Sequence, residues 1–354
     1  MPVSIKGTGG GGVTLDAGAA ASSTTLTLPN VNGTVVLNAS PTFTGTTTAD
    51  NLSVTGALVP SSSFLRNRII NGAMFVSQRA TSATVTAGTG VPTASAGYPC
   101  VDRFFVYSTG ANVTAAQVAA TGATPFLLRI TGAASVTAVG VGQRIETNNS
   151  IDLAGQTCTL SVELANSLLT TVTWTASYAN TTDTFGTIGT PTKTQIATGT
   201  FTVTSTLTRY SVNIAVPSAA TTGIEILFTV GAQTSGTWDI DNVQLEVGTA
   251  ATPFERRQFG QELMLCQRYY CRTTATARFP ATGSQNFETP IFWPANMRAA
   301  PTVSSSGGTQ ANTSVTFPPS AESATVYGAR FSLVSAGTGD CYSLNRDVFS
   351  SAEL

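Results

Sequence analysis

The chain has 354 residues, with 17 Lys+Arg against 18 Asp+Glu, no histidine and five cysteines. The lack of histidine excludes a Ser-His-Asp triad, a Cys-His pair and an imidazole zinc site, and a net charge of −1 with only two lysines argues against nucleic acid, whose phosphates require clustered cations. Only 10% of residues are charged, against about 25% in an ordinary soluble protein, yet there is no run of about 18 apolar residues to cross a membrane as a helix. The cysteines, at 100, 158, 266, 271 and 341, form no CxxC grid, so neither a zinc ribbon nor a disulfide scaffold is expected. Met1-Pro2-Val3-Ser4-Ile5-Lys6 lacks the basic region and apolar stretch of a signal peptide, so export by that route is not expected.

Residues 1 to about 60 carry three charges, Lys6, Asp16 and Asp50. Gly9–Gly12 is followed by no Gly-Lys-Ser/Thr, so it reads as a flexible glycine stretch rather than a phosphate loop. Short alternating segments follow at Thr25–Leu28, Thr34–Leu37, Phe43–Gly45 and Leu52–Gly56, separated by turn residues. With so few large side chains this piece cannot bury a core alone, and the expectation is an intertwined β-stalk of several copies.

From about 64 to 250 the alternation is longer and cleaner. Cys158, Leu160, Val162 and Leu164 share one face, as do Val172, Trp174, Ala176 and Tyr178, then Tyr210, Val212, Ile214 and Val216, then Ile224, Ile226, Phe228 and Val230. This predicts an antiparallel sandwich of the jelly-roll kind. In the last strand, Trp238 and Ile240 fall on one parity and Val243, Leu245 and Val247 on the other, which predicts a bulge or a strand that crosses between environments. Phe259, Leu263, Cys266 and Tyr270 recur at i, i+4, i+7 and i+11, one apolar stripe of a short helix over 259–270. Beyond it, short β-segments and the turn prolines 290, 294, 301, 318 and 319 predict a second, smaller β-domain. The fold is therefore expected to be mostly β: a stalk over 1–62, a jelly roll over 63–252, a helical connector over 253–272 and a C-terminal β-domain over 273–354.

Several blocks add a family resemblance. Asn67–Arg79, Tyr98-Pro99-Cys100-Val101-Asp102-Arg103-Phe104, Gln143–Glu146, Asp152–Ser161, Val243–Gly248, Ala251–Glu255 and Glu262–Tyr270 resemble, in order, the carbohydrate-module-like jelly-roll domain of bacteriophage tail fibre proteins. Met297–Val303 and Ala352-Glu353-Leu354 are similar to the C-terminal domain of such fibres, and Pro41–Thr46 to a shaft repeat. The resemblance implies a virion tail component, a homotrimer whose N-terminal segment docks on a tail or baseplate protein and whose distal part binds a host-surface glycan. A phage protein leaves its host by lysis and needs no signal peptide. It also implies that acids on the first and last strands can hold a structural calcium. Here Ala73 stands where such domains often carry an acid, leaving Asp241 with Asn71 as the candidate pair. Otherwise no cofactor, no nucleic acid and no membrane insertion are expected.

Glycan recognition combines an exposed aromatic with convergent polar groups, and Trp293, Tyr327 and Tyr342 are the candidates in the C-terminal domain. Trp174 and Trp238 suit core packing better. Phe259, Leu263, Cys266 and Tyr270 are candidates for a trimer interface along the helix. Arginines 256, 257, 268, 272 and 278 surround that helix, with Glu255 and Glu262 as expected partners across subunits rather than an anionic glycan. Arg103 and Arg144 are expected to be buried partners of Asp102 or Glu146. The rival class, a polysaccharide-cleaving fibre enzyme, rests on Asp239 and Asp241, two residues apart on one strand; a head fibre or decoration protein is a third reading. The expectation is a binding protein, not an enzyme.

Overall fold

The computed structural model describes residues 3–6, 12–15, 65–93, 96–120, 124–313 and 324–354. By its internal contacts the chain divides into two units, Met1–Val59 and Pro60–Leu354. In the first, β1 (Val3–Lys6) and β2 (Gly12–Leu15) pair antiparallel. The stalk strands expected between residues 25 and 56 lie outside the described residues, as do Pro318 and Pro319.

The second unit begins with a β-sandwich. Its strands are β3 (Ser82–Val85), β4 (Phe105–Thr109), β5 (Val113–Ala119), β6 (Phe126–Thr131), β7 (Ala138–Ile145), β8 (Thr157–Asn166), β9 (Thr171–Ala179), β10 (Lys193–Thr202), β11 (Thr208–Ala215), β12 (Ile224–Val230) and β13 (Thr237–Val247). One sheet runs β10-β9-β12-β7-β4 and the other β11-β8-β13-β6-β5-β3, with all neighbours antiparallel. The chain passes repeatedly from one sheet to the other, the connectivity of a jelly roll. The alternating residues of β8, β9 and β12 fill the space between the sheets together with Trp174, Trp238 and Ile214, while Tyr178, Tyr210 and Val212 pack at its margin. The expected phase switch is present in β13: the register shifts between Asp241 and Gln244, and Asn242 has φ +48°. The bulge lets Trp238 and Ile240 share the core with Val243 and Leu245.

Helix α1 (Phe259–Gln267) is shorter than the apolar stripe predicts. Tyr270 is not helical; it opens β14 (Tyr270–Thr282), where it pairs with Ser351 of β19 (Thr338–Ser351). The β-branched run that follows favours a strand, and the long β14–β19 ladder overrides one further helical turn. The C-terminal part of this unit is completed by β15 (Asn286–Phe292), β16 (Thr302–Ser306), β17 (Thr309–Ala311) and β18 (Gly328–Val334). One sheet runs β14-β19-β16 with β17 also on β19, and β15 pairs with β18 in a second.

A buried ionic network joins the two parts of this unit. The Arg103 side chain, from the turn before β4, meets the Glu353 carboxylate, donates to the Arg144 carbonyl at 2.5 Å and lies 3.5 Å above the Tyr269 ring. Burial, the largest single influence, would lower the Arg103 pKa, but Glu353 together with the smaller contributions of Tyr269, Tyr98 and Cys266 outweighs it and holds the guanidinium above its ordinary value. Arg79 reaches Glu353 at 3.1 Å and stacks on Tyr270 at 3.6 Å. Arg144 pairs with Glu225 at 2.9 Å and donates to the Leu354 carbonyl at 2.8 Å. Arg103 and Arg144 are thus buried as expected, but the expected partners are corrected: Glu353 and Glu225 take the places of Asp102 and Glu146. Glu146 is instead held by Arg268 at 2.9 Å. Asp102 receives Gln78 N–H at 3.0 Å.

Candidate functional site

In the β15–β18 hairpin, alternation assigns the two faces. Ile291 and Trp293 are buried in the core of the C-terminal part, so Phe292 between them points outward and is 75% exposed. Phe292 pairs with Gly328 and Pro290 with Arg330. A side chain on Gly328 would collide with the Ile291 carbonyl, so only glycine admits this close crossing. The turn entering β18 is tied by Thr325 Oγ1 donating to Gly328 O at 3.1 Å and by Tyr327 N–H donating to Thr325 Oγ1 at 3.2 Å. That turn presents Tyr327, 65% exposed, beside Phe292. Between them lies a shallow groove of about 330 Å³ lined by Pro290, Ile291, Thr325, Ala329 and Arg330. Arg330, which lines it, pairs with Glu288 at 3.0 Å, and farther along the same hairpin Ser332 Oγ lies 2.6 Å from Asn286 Oδ1. Apolar ring faces beside a preset donor–acceptor pair suit a ligand with one C–H face and several hydroxyls.

Of the predicted glycan contacts, Tyr327 lies at this groove. Trp293 does not face it: the ring is buried and its Nε1–H donates to the Thr325 carbonyl at 2.9 Å, fixing the turn that carries Tyr327. Tyr342 lies on the other sheet, in β19, with the Arg278 guanidinium 5.7 Å from its ring centre. Phe292, Arg330 and Glu288 were not singled out from the sequence. The signal for Phe292 was there, because the alternation that buries Ile291 and Trp293 turns the residue between them outward.

The candidate calcium pair is committed elsewhere. Asn71, at φ +61°, accepts from Val76 N–H at 2.8 Å and donates to the carbonyls of Val76 and Asp102 at 2.8 and 3.0 Å. Asp241 is buried at the β13 bulge, where its carboxylate accepts from the Thr124 hydroxyl and from Asn242 N–H. Burial pushes its pKa up to about 7. Among the described residues, no three His, Cys, Asp or Glu side chains converge as a metal site. These residues do not fit a calcium, and no calcium role is assigned to them. Nor do Asp239 and Asp241 frame a cleft, since Asp239 is taken by a two-pronged Arg129 contact at 2.7 Å and Asp241 is buried.

The helix residues divide between surface and interior. Phe259 is half exposed with its edge on Phe75, and Leu263 is half-buried. Cys266 and Tyr270 are buried within the chain. Arg257 pairs with Glu262 at 3.2 Å within the same chain, and Arg272 and Arg278 with Asp347 and Asp340. All five cysteines are free and buried.

No protein-family model matches the chain, and no curated protein matches it. Among solved structures, a family 4 carbohydrate-binding module is similar at 14% identity and a TM-score of 0.33, over 50% of this chain and 98% of that one. A family 61 carbohydrate-binding module in complex with β-1,4-galactotriose is similar at 11% identity and a TM-score of 0.31, over 52% and 99%. The enzymatically active domain of tailspike protein 4 of bacteriophage CBA120 is similar at 17% identity and a TM-score of 0.31, over 52% of this chain and 22% of that one. The functional reading rests on the residues of the site.

Proposed function

We propose that this chain is a glycan-binding fibre protein of a bacteriophage tail, acting as a homotrimer that docks on the virion through its N-terminal segment and binds a host-surface glycan without turnover. The observation that carries the binding function is the pair of exposed aromatics, Phe292 and Tyr327, around the groove lined by Arg330, which pairs with Glu288. Each ring offers a stacking face, and the ion pair offers donors and acceptors whose geometry is already set. The fibre assignment is supported by the ordered blocks that resemble fibre jelly rolls and by an N-terminal segment too poor in large side chains to fold alone. Binding without turnover is supported by the commitment of Asp239 to Arg129 and the burial of Asp241.

The test is retention of the full-length protein on an array of bacterial surface glycans, with Phe292→Ala and Tyr327→Ala alongside. Loss of one stacking ring is expected to weaken binding roughly two- to tenfold, from about 0.5–1.5 kcal/mol per aromatic contact. Unchanged retention in both variants would remove the groove from the function. Light scattering tests the assembly: a mass three times that of the chain is expected, and a monomer would exclude the fibre.

A further inference from the structure

The exposed face of the β14–β19 ladder carries the same three-residue arrangement twice. Arg272 Nε and Nη2 donate to Asp347 Oδ1 and Oδ2 at 3.1 and 2.7 Å, with the Phe349 ring centre 5.8 Å from the guanidinium. Arg278 Nε and Nη2 donate to Asp340 Oδ1 and Oδ2 at 3.1 and 2.6 Å, with the Tyr342 ring centre at 5.7 Å. In each case the arginine of β14 stands directly opposite the aromatic of β19, and the aspartate lies two residues before that aromatic. The motif on β19 is Asp-x-aromatic, at 340–342 and again at 347–349.

The seven-residue spacing of this repeat would put the two copies on opposite faces of a regular strand. They share a face because β19 carries one extra residue: Ala275 pairs with Arg346 but Ala277 with Ser343, and Asn345 sits at φ +53°. The bulge thus restores the phase. Exposed ion pairs add little stability, so cross-strand pairing alone gives no reason for two matched sets.

We propose that this face is a second binding surface, with two equivalent subsites for a linear, neutral polysaccharide. In each subsite the side-on pair leaves both Nη1 protons and the remaining carboxylate lone pairs free in one plane. Adjacent sugar hydroxyls satisfy that pattern, one accepting from the guanidinium and one donating to the carboxylate. The neighbouring ring takes the C–H face of the sugar. Arginine and aspartate cancel in each subsite, so a neutral chain is accepted without an unpaired charge, whereas an anionic one would face Asp340 and Asp347. Arg272 and Arg278 are six residues apart on β14, about 20 Å at about 3.3 Å per residue, so one extended chain of several sugars spans both and gains from the linkage. The surface is separate from the Phe292–Tyr327 groove and its test has its own variants.

The experiment is affinity electrophoresis of the full-length protein in gels containing soluble xylan, β-1,4-galactan or β-1,3-glucan, with polygalacturonate as the anionic comparison. Retardation by at least one neutral polymer is expected. Arg272→Ala and Arg278→Ala should each weaken it about tenfold and the double variant abolish it, while melting temperatures stay unchanged. Tyr342→Phe should keep binding and Tyr342→Ala lose it. No retardation by any neutral polymer, migration of the arginine variants like the parent, or stronger retardation by polygalacturonate would each overturn the proposal. A fall in solution mass in the double variant would also overturn it, by making this face a contact between copies. Loss seen only with Phe292→Ala and Tyr327→Ala would leave the groove standing and remove the ladder.

Discussion

Glu353 is the test of how the two parts of the Pro60–Leu354 unit are held together. Its carboxylate is 1% exposed and meets Arg103, itself 1% exposed, with Arg79 at 3.1 Å on its other oxygen. Replacing Glu353 by alanine leaves the Arg103 guanidinium buried with only the Arg144 carbonyl and the Tyr269 ring as partners, and Arg103 Nε has no partner even in the intact protein. Removing one member of a buried pair destabilises by about 3–5 kcal/mol, because the surviving charge cannot be rehydrated. That is a large fraction of a typical folding free energy of about 5–15 kcal/mol. In a unit this large it corresponds to a melting temperature lower by roughly 6–10 °C. Calorimetry of the parent, Glu353→Ala, Arg103→Ala and the double variant measures both the loss and the coupling. The double variant should be more stable than the sum of the single losses implies, by about 2 kcal/mol or more, since no orphan charge remains. A single-variant loss below about 1 kcal/mol, or full additivity in the cycle, would refute the reasoning and make the network an exposed, solvated one.

Asp241 makes stability depend on pH in the direction opposite to a salt-bridged acid. Its folded pKa is pushed up to about 7 from 3.8 by burial, so between those values the native state holds a proton that the unfolded chain has lost, and stability falls as pH rises through the window. Asp241→Asn keeps an acceptor for Asn242 N–H and a donor for the Thr124 hydroxyl; its unfolding free energy from urea titration should match the parent's near pH 4 and exceed it near pH 8, by at most about 4 kcal/mol. Asp102, pushed up to about 6, contributes in the same sense, so the difference between parent and variant isolates Asp241. The cysteines supply a third check. Burial pushes Cys100 and Cys158 up to about 11 and Cys271 up to about 12, so a thiol reagent at pH 8 should label none of them in the native protein and all five after denaturation. Rapid native labelling of any of these three would contradict the burial assigned to it.

The sandwich was legible because its cause is local. A side chain on one parity of β8, β9 or β12 is apolar whichever strand lies beside it, and the bulge at Asn242 announces itself as a change of parity within one strand. The end of the helix was not legible. Tyr270 continues the apolar stripe of Phe259, Leu263 and Cys266, and nothing nearby says that a strand 80 residues later will claim it. The partners of Arg103 and Arg144 were missed for the same reason. Asp102 and Glu146 are adjacent or nearly so in sequence, but only the fold brings Glu353 and Glu225 to them. Among the site residues, Tyr327 could be picked out as an aromatic in a turn-rich stretch. The role of Trp293 was open until alternation on β15 was fixed by its pairing with β18. The repeated Asp-x-aromatic motif is plain in the sequence, yet its spacing of seven separates the two copies in any regular strand. Only the bulge at Asn345 makes them a pair.

The same packing bears on where the two proposed binding surfaces sit. The C-terminal part of the unit buries Ala275, Ala277, Ala281, Ala324, Ala329 and Ala352 in its core, with Phe331, Leu333 and Trp293 as the large members. Alanines remove little apolar area from water, and a part of this size has little area to spare. It therefore draws on the jelly roll: Tyr269, Cys266 and Leu354 pack with Ile70, Val76 and Phe185 in a shared cluster, and Arg79, Arg103 and Arg144 hold the Ala352–Leu354 segment from the other side. Because β19 runs directly into that segment, the strand bearing Asp340, Tyr342, Asp347 and Phe349 is anchored at its end by the buried Arg103, Arg144 and Glu353. A ligand-facing sheet fixed in this way loses little freedom when a sugar binds, which is the cost that weak, multivalent contacts can least absorb. The jelly roll thereby acts as the rigid base of the proposed recognition surface carried by its small neighbour.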